Sequence, residues 1–190
     1  MAQQDRYTAV AIGLHWLIAL LIVGQIAGGF IMADLPDGSP LKFQAFQLHK
    51  SFGLTVLILT VVRLGWRIGH KPPPLPAAMP GWEKAAARAT HVGFYALLIA
   101  LPLLGWAFVS ATPFQVPTFL FGVIPWPHLP FFEGVADRKA VAEQIMGLHE
   151  AAAFVMIGLA ALHVLAALKH HFVNRDPVLA RMLPFLRRDA

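Results

Sequence analysis

The stretch LHEAAAFVMIGLAALHVLAALKHH (148–171) sets His149 and His163 in a run of small and apolar residues. His149 is followed by Glu150, the opening of the HExxH pattern in which two histidines one helical turn apart share a metal. The second histidine position of that pattern is Ala153, so zinc-protease chemistry is excluded. The actual interval, from 149 to 163, is fourteen residues. At about 1.5 Å and 100° per residue, it sets the two imidazoles roughly 21 Å apart along a helix axis and within about 40° of one face. They cannot share one ion, but each can serve its own site, one toward each end of the helix. His15, His49 and His91 also lie in apolar runs, where ionisable side chains are rare enough to raise a functional suspicion.

The elements that carry these histidines are membrane spans by composition. Of 190 residues, 57% are hydrophobic and only 13% charged, about half the charged fraction of a soluble domain. Four stretches, about 8–32, 47–68, 90–110 and 144–168, reach the roughly 20 apolar residues that cross a bilayer. The fold class expected is an all-α membrane protein, a four-helix transmembrane bundle forming a single domain over residues 1–190. The first stretch exceeds a signal-peptide apolar region of about 7–15 residues and has no small-residue cleavage site after it, so it reads as a retained helix. The absence of cysteine excludes disulfides, thiolate metal sites and thioether-linked haem.

Basic residues outside the spans set the orientation. Arg6, Arg63, Arg67, Lys71, Lys84, Arg88, Lys169, Arg175, Arg181, Arg187 and Arg188 fall on one side, against Lys42, Lys50, Arg138 and Lys139 on the other. The positive-inside rule then makes both termini cytoplasmic. The net charge of +5 is topology rather than a nucleic-acid surface, since no aromatic-interleaved basic face accompanies it. DLPDGSP (34–40) and HKPPPLPAAMPG (70–81) read as loops. The connection 112–144, with five prolines and many aromatics, reads as a cap on the outer face. The tail NRDPVLARMLPFLRR (174–188) reads as a segment lying along the inner surface.

Alternating the helix directions sorts the histidines by depth into an inner tier of His15 with His163 and an outer tier of His49 with His149. His91 falls in the inner tier. A lone histidine in an apolar helix is commonly a satisfied hydrogen-bonding residue, but matched depth on separate helices argues for paired use. Two facing imidazoles with no cysteine or carboxylate beside them suit axial ligation of haem iron better than a closed tetrahedral zinc site. Small residues near the tiers, among them Gly24, Gly28, Gly29, Gly53, Gly147 and Ala151–Ala153, leave room for a flat macrocycle, though helix contacts in membranes favour small residues in any case.

The segments RYTAVAIGLHWLIALLIV, LHKSFGLTVLILTVVRLGWRIG, ATHVGFYALLIALPLLGW and MGLHEAAAFVMIGLAALHVLAALKHHFVNRDPVLARMLP resemble the bacterial cytochrome b561 family, small four-helix membrane proteins with two b-type haems. The similarity runs from Arg6 to Pro184. Carried over residue by residue, it implies that His15, His49, His149 and His163 are the haem-iron ligands. His91 resembles a third-helix histidine that is not a ligand, which leaves it a role in quinone binding, proton delivery or simple hydrogen bonding. Lys50, Arg63, Arg67 and Lys169 stand at span boundaries, where snorkelling accounts for most such cations and pairing with haem propionates for one or two. His70, His128, His170 and His171 read as solvated, and Glu150 as facing the outer aqueous boundary.

The resemblance implies a bacterial inner-membrane protein that passes electrons from periplasmic superoxide to ubiquinone, or else a cytochrome subunit linking a periplasmic dehydrogenase or hydrogenase to the quinone pool. Bis-histidine ligation leaves no vacant iron position, so the chemistry would be outer-sphere electron transfer. The two tiers would act as a wire from an outer donor to a quinone near the inner tier. A non-haem reading, a metal transporter with histidines as transient ligands, stays open on the residues alone. For superoxide, Lys50, Arg138 and Lys139 could form a positive mouth, although the outer carboxylates Asp34, Asp37, Glu133, Asp137, Glu143 and Glu150 outnumber the outer cations.

Overall fold

A computed structural model describes residues 6–186. Four long helices dominate it: α1 (Ala9–Asp34), α2 (Pro40–Gly69), α3 (Gly81–Ala111) and α4 (Arg138–Lys169). All four are long and apolar enough to cross a membrane, as composition required. α2 and α4 begin earlier than their apolar spans because their polar caps lie further out. Ser39 accepts from the Lys42 N–H at 3.2 Å with Pro40 in the first turn, and Asp137 accepts from the Ala140 N–H at 3.0 Å. Each cap satisfies one of the free N–H groups at a helix start.

The close seams join α1 to α2, α2 to α3, and α3 to α4, whereas α4 is not closely packed on α1 or α2. The centre of the bundle is a layer of Ile18, Val56, Leu98 and Met156, one from each helix, all buried. Met156 stands midway between His149 and His163 in sequence. The layer therefore divides the two ends of the bundle.

The connection after α3 contains a feature the all-α reading lacks, a hairpin of β1 (Thr118–Leu120) and β2 (Ile124–Trp126) paired antiparallel with Phe119 opposite Pro125. Phe121 and Gly122 turn the chain with φ of 50° and 75°. The buried Ser51 hydroxyl pins the hairpin to α2: it donates to Gln47 O at 2.8 Å and accepts from the Phe121 N–H at 3.0 Å. Ser51→Ala should lower stability by about 1–3 kcal/mol, since the partnered Phe121 N–H would be stranded. Thermal unfolding in detergent against the parent chain measures it.

The tail is not one amphipathic helix. After a π-helical turn (His170–Asn174), Arg175 adopts φ 53° and the chain doubles back through short 3-10 turns. Met182 O accepts from the Trp16 indole at 2.8 Å and Arg181 donates to Pro74 O at 2.6 Å. The tail therefore crosses this end of the bundle, tied to α1 and to the loop between α2 and α3. Arg187 and Arg188, and the chain termini, lie outside the described residues.

Candidate functional site

The four histidines meet as two pairs. The ring centroids of His15 and His163 are 6.2 Å apart and those of His49 and His149 are 6.3 Å apart, each pair inclined at 68°. A metal–imidazole bond of about 2.0–2.1 Å plus a ring radius of about 1.1 Å puts two axial imidazoles about 6.2–6.4 Å apart, centroid to centroid, across one metal. Both pairs bridge the seams that are not closely packed, α1 to α4 and α2 to α4. Spacing and room together fit a planar macrocycle between each pair. Among the described residues, no group of three His, Asp or Glu side chains could hold a metal ion.

His91 is a second neighbour of His163, with centroids 5.9 Å apart. Distance alone does not separate it from His15, but packing does. α3 and α4 are in close contact, and a Cβ built on Gly93 would come within 3.2 Å of Leu159 Cδ2. That seam has no space for a macrocycle. Phe94 meets the His163 ring edge-on at 5.3 Å and closes the same side.

Second contacts orient the His49–His149 tier. His149 Nδ1 donates to Leu101 O at 3.0 Å; a carbonyl can only accept, so the proton sits on Nδ1 and Nε2 keeps its lone pair for a metal. The Gln25 amide donates to His49 O at 2.9 Å, tying α1 to α2 at this level, while His49 Nδ1 is buried without a partner. Gly29 lies against the His49 ring and Gly105 against that of His149, at 3.8 and 3.5 Å from their would-be Cβ positions. An added Cβ at Gly24, Gly28, Gly147 or Gly158 meets nothing within 4 Å, so tight helix packing does not explain those glycines. Gln25, Gly105 and the Leu101 carbonyl are site components that the sequence reading missed. Only Gln25, an amide inside an apolar span, left a signal to find.

A cavity of about 1230 Å³ surrounds this tier, with Val56, Leu98 and Met156 among its walls. Its charged lining consists of Lys42, Lys50 and Glu150. Lys42 is paired with Asp37 at 2.7 Å, and the ammonium holds that carboxyl below its usual range by hydrogen bond and charge. The three cations expected at one mouth are not gathered there. Lys50 donates to Pro117 O at 3.1 Å beside the Phe46 ring, Arg138 donates to Ser110 O and Ala111 O at the end of α3, and Lys139 stands 3.9 Å from Glu143. Of the three, only Lys50 lines the cavity.

At the other end, Arg63 and Arg67 lie around Tyr7 with Arg181, and burial raises the Tyr7 hydroxyl above its ordinary pKa against their opposing charge. Arg67 also stacks over Tyr95 at 5.8 Å. His170 is not solvated. It is buried, 2.5 Å from Asp176 Oδ2 and 3.7 Å from Glu83 Oε2. Glu83 reaches Lys169 at 2.6 Å, so Lys169 serves an ion pair between α3 and α4. His70 is exposed and stacked on Trp66, and Glu150 is exposed and lines the cavity.

Comparison with known proteins identifies relatives over almost the whole chain. The family described as prokaryotic cytochrome b561 matches residues 6–185. The chain is 35% identical to cytochrome b561 homolog 2 of Escherichia coli over 180 residues, covering 94% of this chain and 92% of that one. It is 30% identical to the probable superoxide oxidase CybB of Yersinia pestis, covering 94% and 96%. It is 32% identical to cytochrome b562 of Cereibacter sphaeroides, covering 96% and 98%. Four apolar helices, two facing histidine pairs and a match over almost the whole length lead to one conclusion: the chain belongs to the prokaryotic cytochrome b561 family, bacterial membrane proteins that carry electrons on b-type haem.

Proposed function

We propose that the protein is a dihaem cytochrome of the bacterial inner membrane that oxidises superoxide on the periplasmic side and reduces ubiquinone. The observation that carries the reading is the presence of two histidine pairs, each at iron-spanning separation, at opposite ends of one bundle. In this proposal His49 and His149 would hold the haem iron of the outer tier, and His15 and His163 that of the inner tier. A bis-histidine haem, when bound, supplies a one-electron carrier without an open coordination position. Two superoxide ions give up one electron each and leave as dioxygen; one ubiquinone takes both electrons and two protons to become ubiquinol. The buried layer of Ile18, Val56, Leu98 and Met156 keeps water out between the tiers. His91, beside His163, would hand protons toward a quinone at the inner end. Positive-inside asymmetry puts that end and both termini in the cytoplasm.

Superoxide as donor is supported by the similarity to a probable superoxide oxidase. The alternative is a subunit passing electrons from a periplasmic dehydrogenase or hydrogenase. It gains weight from the cavity lining, whose cations are Lys42, paired with Asp37, and Lys50, with Glu150 as the lining's carboxylate, a poor anion funnel. The test of the shared core is haem content. Acidified solvent should extract two haems per chain, all non-covalent because the chain has no cysteine, and the reduced spectrum should be low-spin. A preparation with one haem per chain would remove the two-tier reading.

A further inference from the structure

From Thr112 to Phe132 the connection between α3 and α4 contains no Asp, Glu, Lys or Arg. Its exposed side chains include Phe114, Phe119, Phe121, Val123, Ile124 and Phe131, with Val123 78% exposed. An aqueous cap of that composition would present a large apolar patch to water. Depth gives the patch a different surrounding. Gly29 of α1 faces the His49 ring, and Gln25, one turn away, reaches His49 O. Ser51, between His49 and Gly53, is thus level with residues 25–29. Beyond Gly29, α1 stays apolar through Phe30, Ile31, Met32 and Ala33 before its first charge at Asp34, a further rise of about 6 Å. The hairpin tip bonds to Ser51, and the Phe121 ring meets Phe52 edge-on at 5.2 Å. The tip therefore lies below the apolar end of α1, beside the lipid-facing surface of α2.

We propose that residues 118–126 form a re-entrant hairpin seated in the outer leaflet, with its apolar side chains against lipid acyl chains. Non-helical backbone is tolerated at that depth where protein satisfies its polar groups, and several of those at the hairpin are met by protein. Pro117 O accepts from Gln47 and Lys50, at 2.9 and 3.1 Å; Phe119 O accepts from the Gly122 N–H at 3.3 Å; and Pro127 O accepts from the Trp106 indole at 2.8 Å. The Gly122 and Val123 N–H groups donate within the turn. On β2, Pro125 stands opposite Phe119 and, as a proline, has no N–H to present to lipid. Thr118 and Trp126 also line the cavity around His49 and His149, so the hairpin walls that cavity on its membrane side.

The absence of native cysteine makes the test direct. Holoprotein carrying Val123→Cys, labelled with an environment-sensitive nitrobenzoxadiazole dye, is reconstituted into phosphatidylethanolamine–phosphatidylglycerol vesicles. The comparison label is at Asp37→Cys, a side chain 96% exposed. Both positions are on the surface, and an unchanged haem spectrum verifies folding; Phe121→Cys serves as a second hairpin site. The hairpin labels should emit to the blue of the Asp37 label, be quenched several-fold more by a lipid nitroxide at acyl carbon 5, and be several-fold less sensitive to iodide. Iodide quenching of the Val123 and Phe121 labels equal to that at Asp37 would overturn the proposal and make the hairpin a water-facing surface open to a protein partner.

Discussion

His149→Ala should halve the haem content, taking it from two per chain to one, and His163→Ala should halve it as well but leave the other haem behind. The argument is spatial. The two pairs share no residue, each bridges its own open seam, and the layer of Ile18, Val56, Leu98 and Met156 lies between them. Loss of one axial imidazole therefore removes a ligand from one tier only, and the surviving haem should keep its low-spin spectrum. The sharper comparison is His15→Ala against His91→Ala. Both rings lie about as near His163 as each other, but the His91 side is closed by the contact of Gly93 with Leu159. His15→Ala should lose the haem that His163→Ala loses, while His91→Ala should retain both. The opposite result, with haem lost at position 91 and kept at 15, would mean that the α3–α4 seam opens to hold the group. Haem quantification with low-temperature spectra of the four variants decides the matter.

The depth of each histidine was legible in the sequence because helix rise and span direction are local properties. Fourteen residues between His149 and His163 fix two levels on α4 whatever the other helices do. What was not legible depends on register between helices. Gly105 and the Leu101 carbonyl support His149 only because α3 is set against α4 at one particular height, and no pattern within α3 announces that height. His170 was misread for the same reason. Its partner Glu83 is 87 positions away on α3, and Asp176 reaches back only because Arg175 turns the chain in the left-handed region. The hairpin escaped because three-residue strands are too short to show a period-two pattern, and its prolines argued for irregular loop. The cation cluster failed on geometry: Arg138 has carbonyls of α3 to cap, a demand invisible in a charge count.

Electron entry at the His49–His149 end gives the other large effect. In sealed right-side-out vesicles, a membrane-impermeant one-electron donor should reduce the tier of His49 and His149 before that of His15 and His163, with ubiquinone reduction following. Inverted vesicles should lose the response to that donor, because the opposite end is presented to it. If superoxide is the donor, the purified protein alone should reduce ubiquinone with a second-order rate constant approaching about 10⁸ M⁻¹s⁻¹, near the encounter ceiling. Attraction to a strongly positive mouth would make that rate fall steeply with salt. The cavity lining here balances Lys50 with Glu150, and Lys42 is tied to Asp37, so the fall between low and physiological salt should stay within about twofold. A steep salt dependence would restore the funnel and direct mutagenesis to Lys50 and Lys139. A slow reaction that becomes fast only when a periplasmic protein is added would favour the subunit reading, with both tiers and the direction of flow left intact.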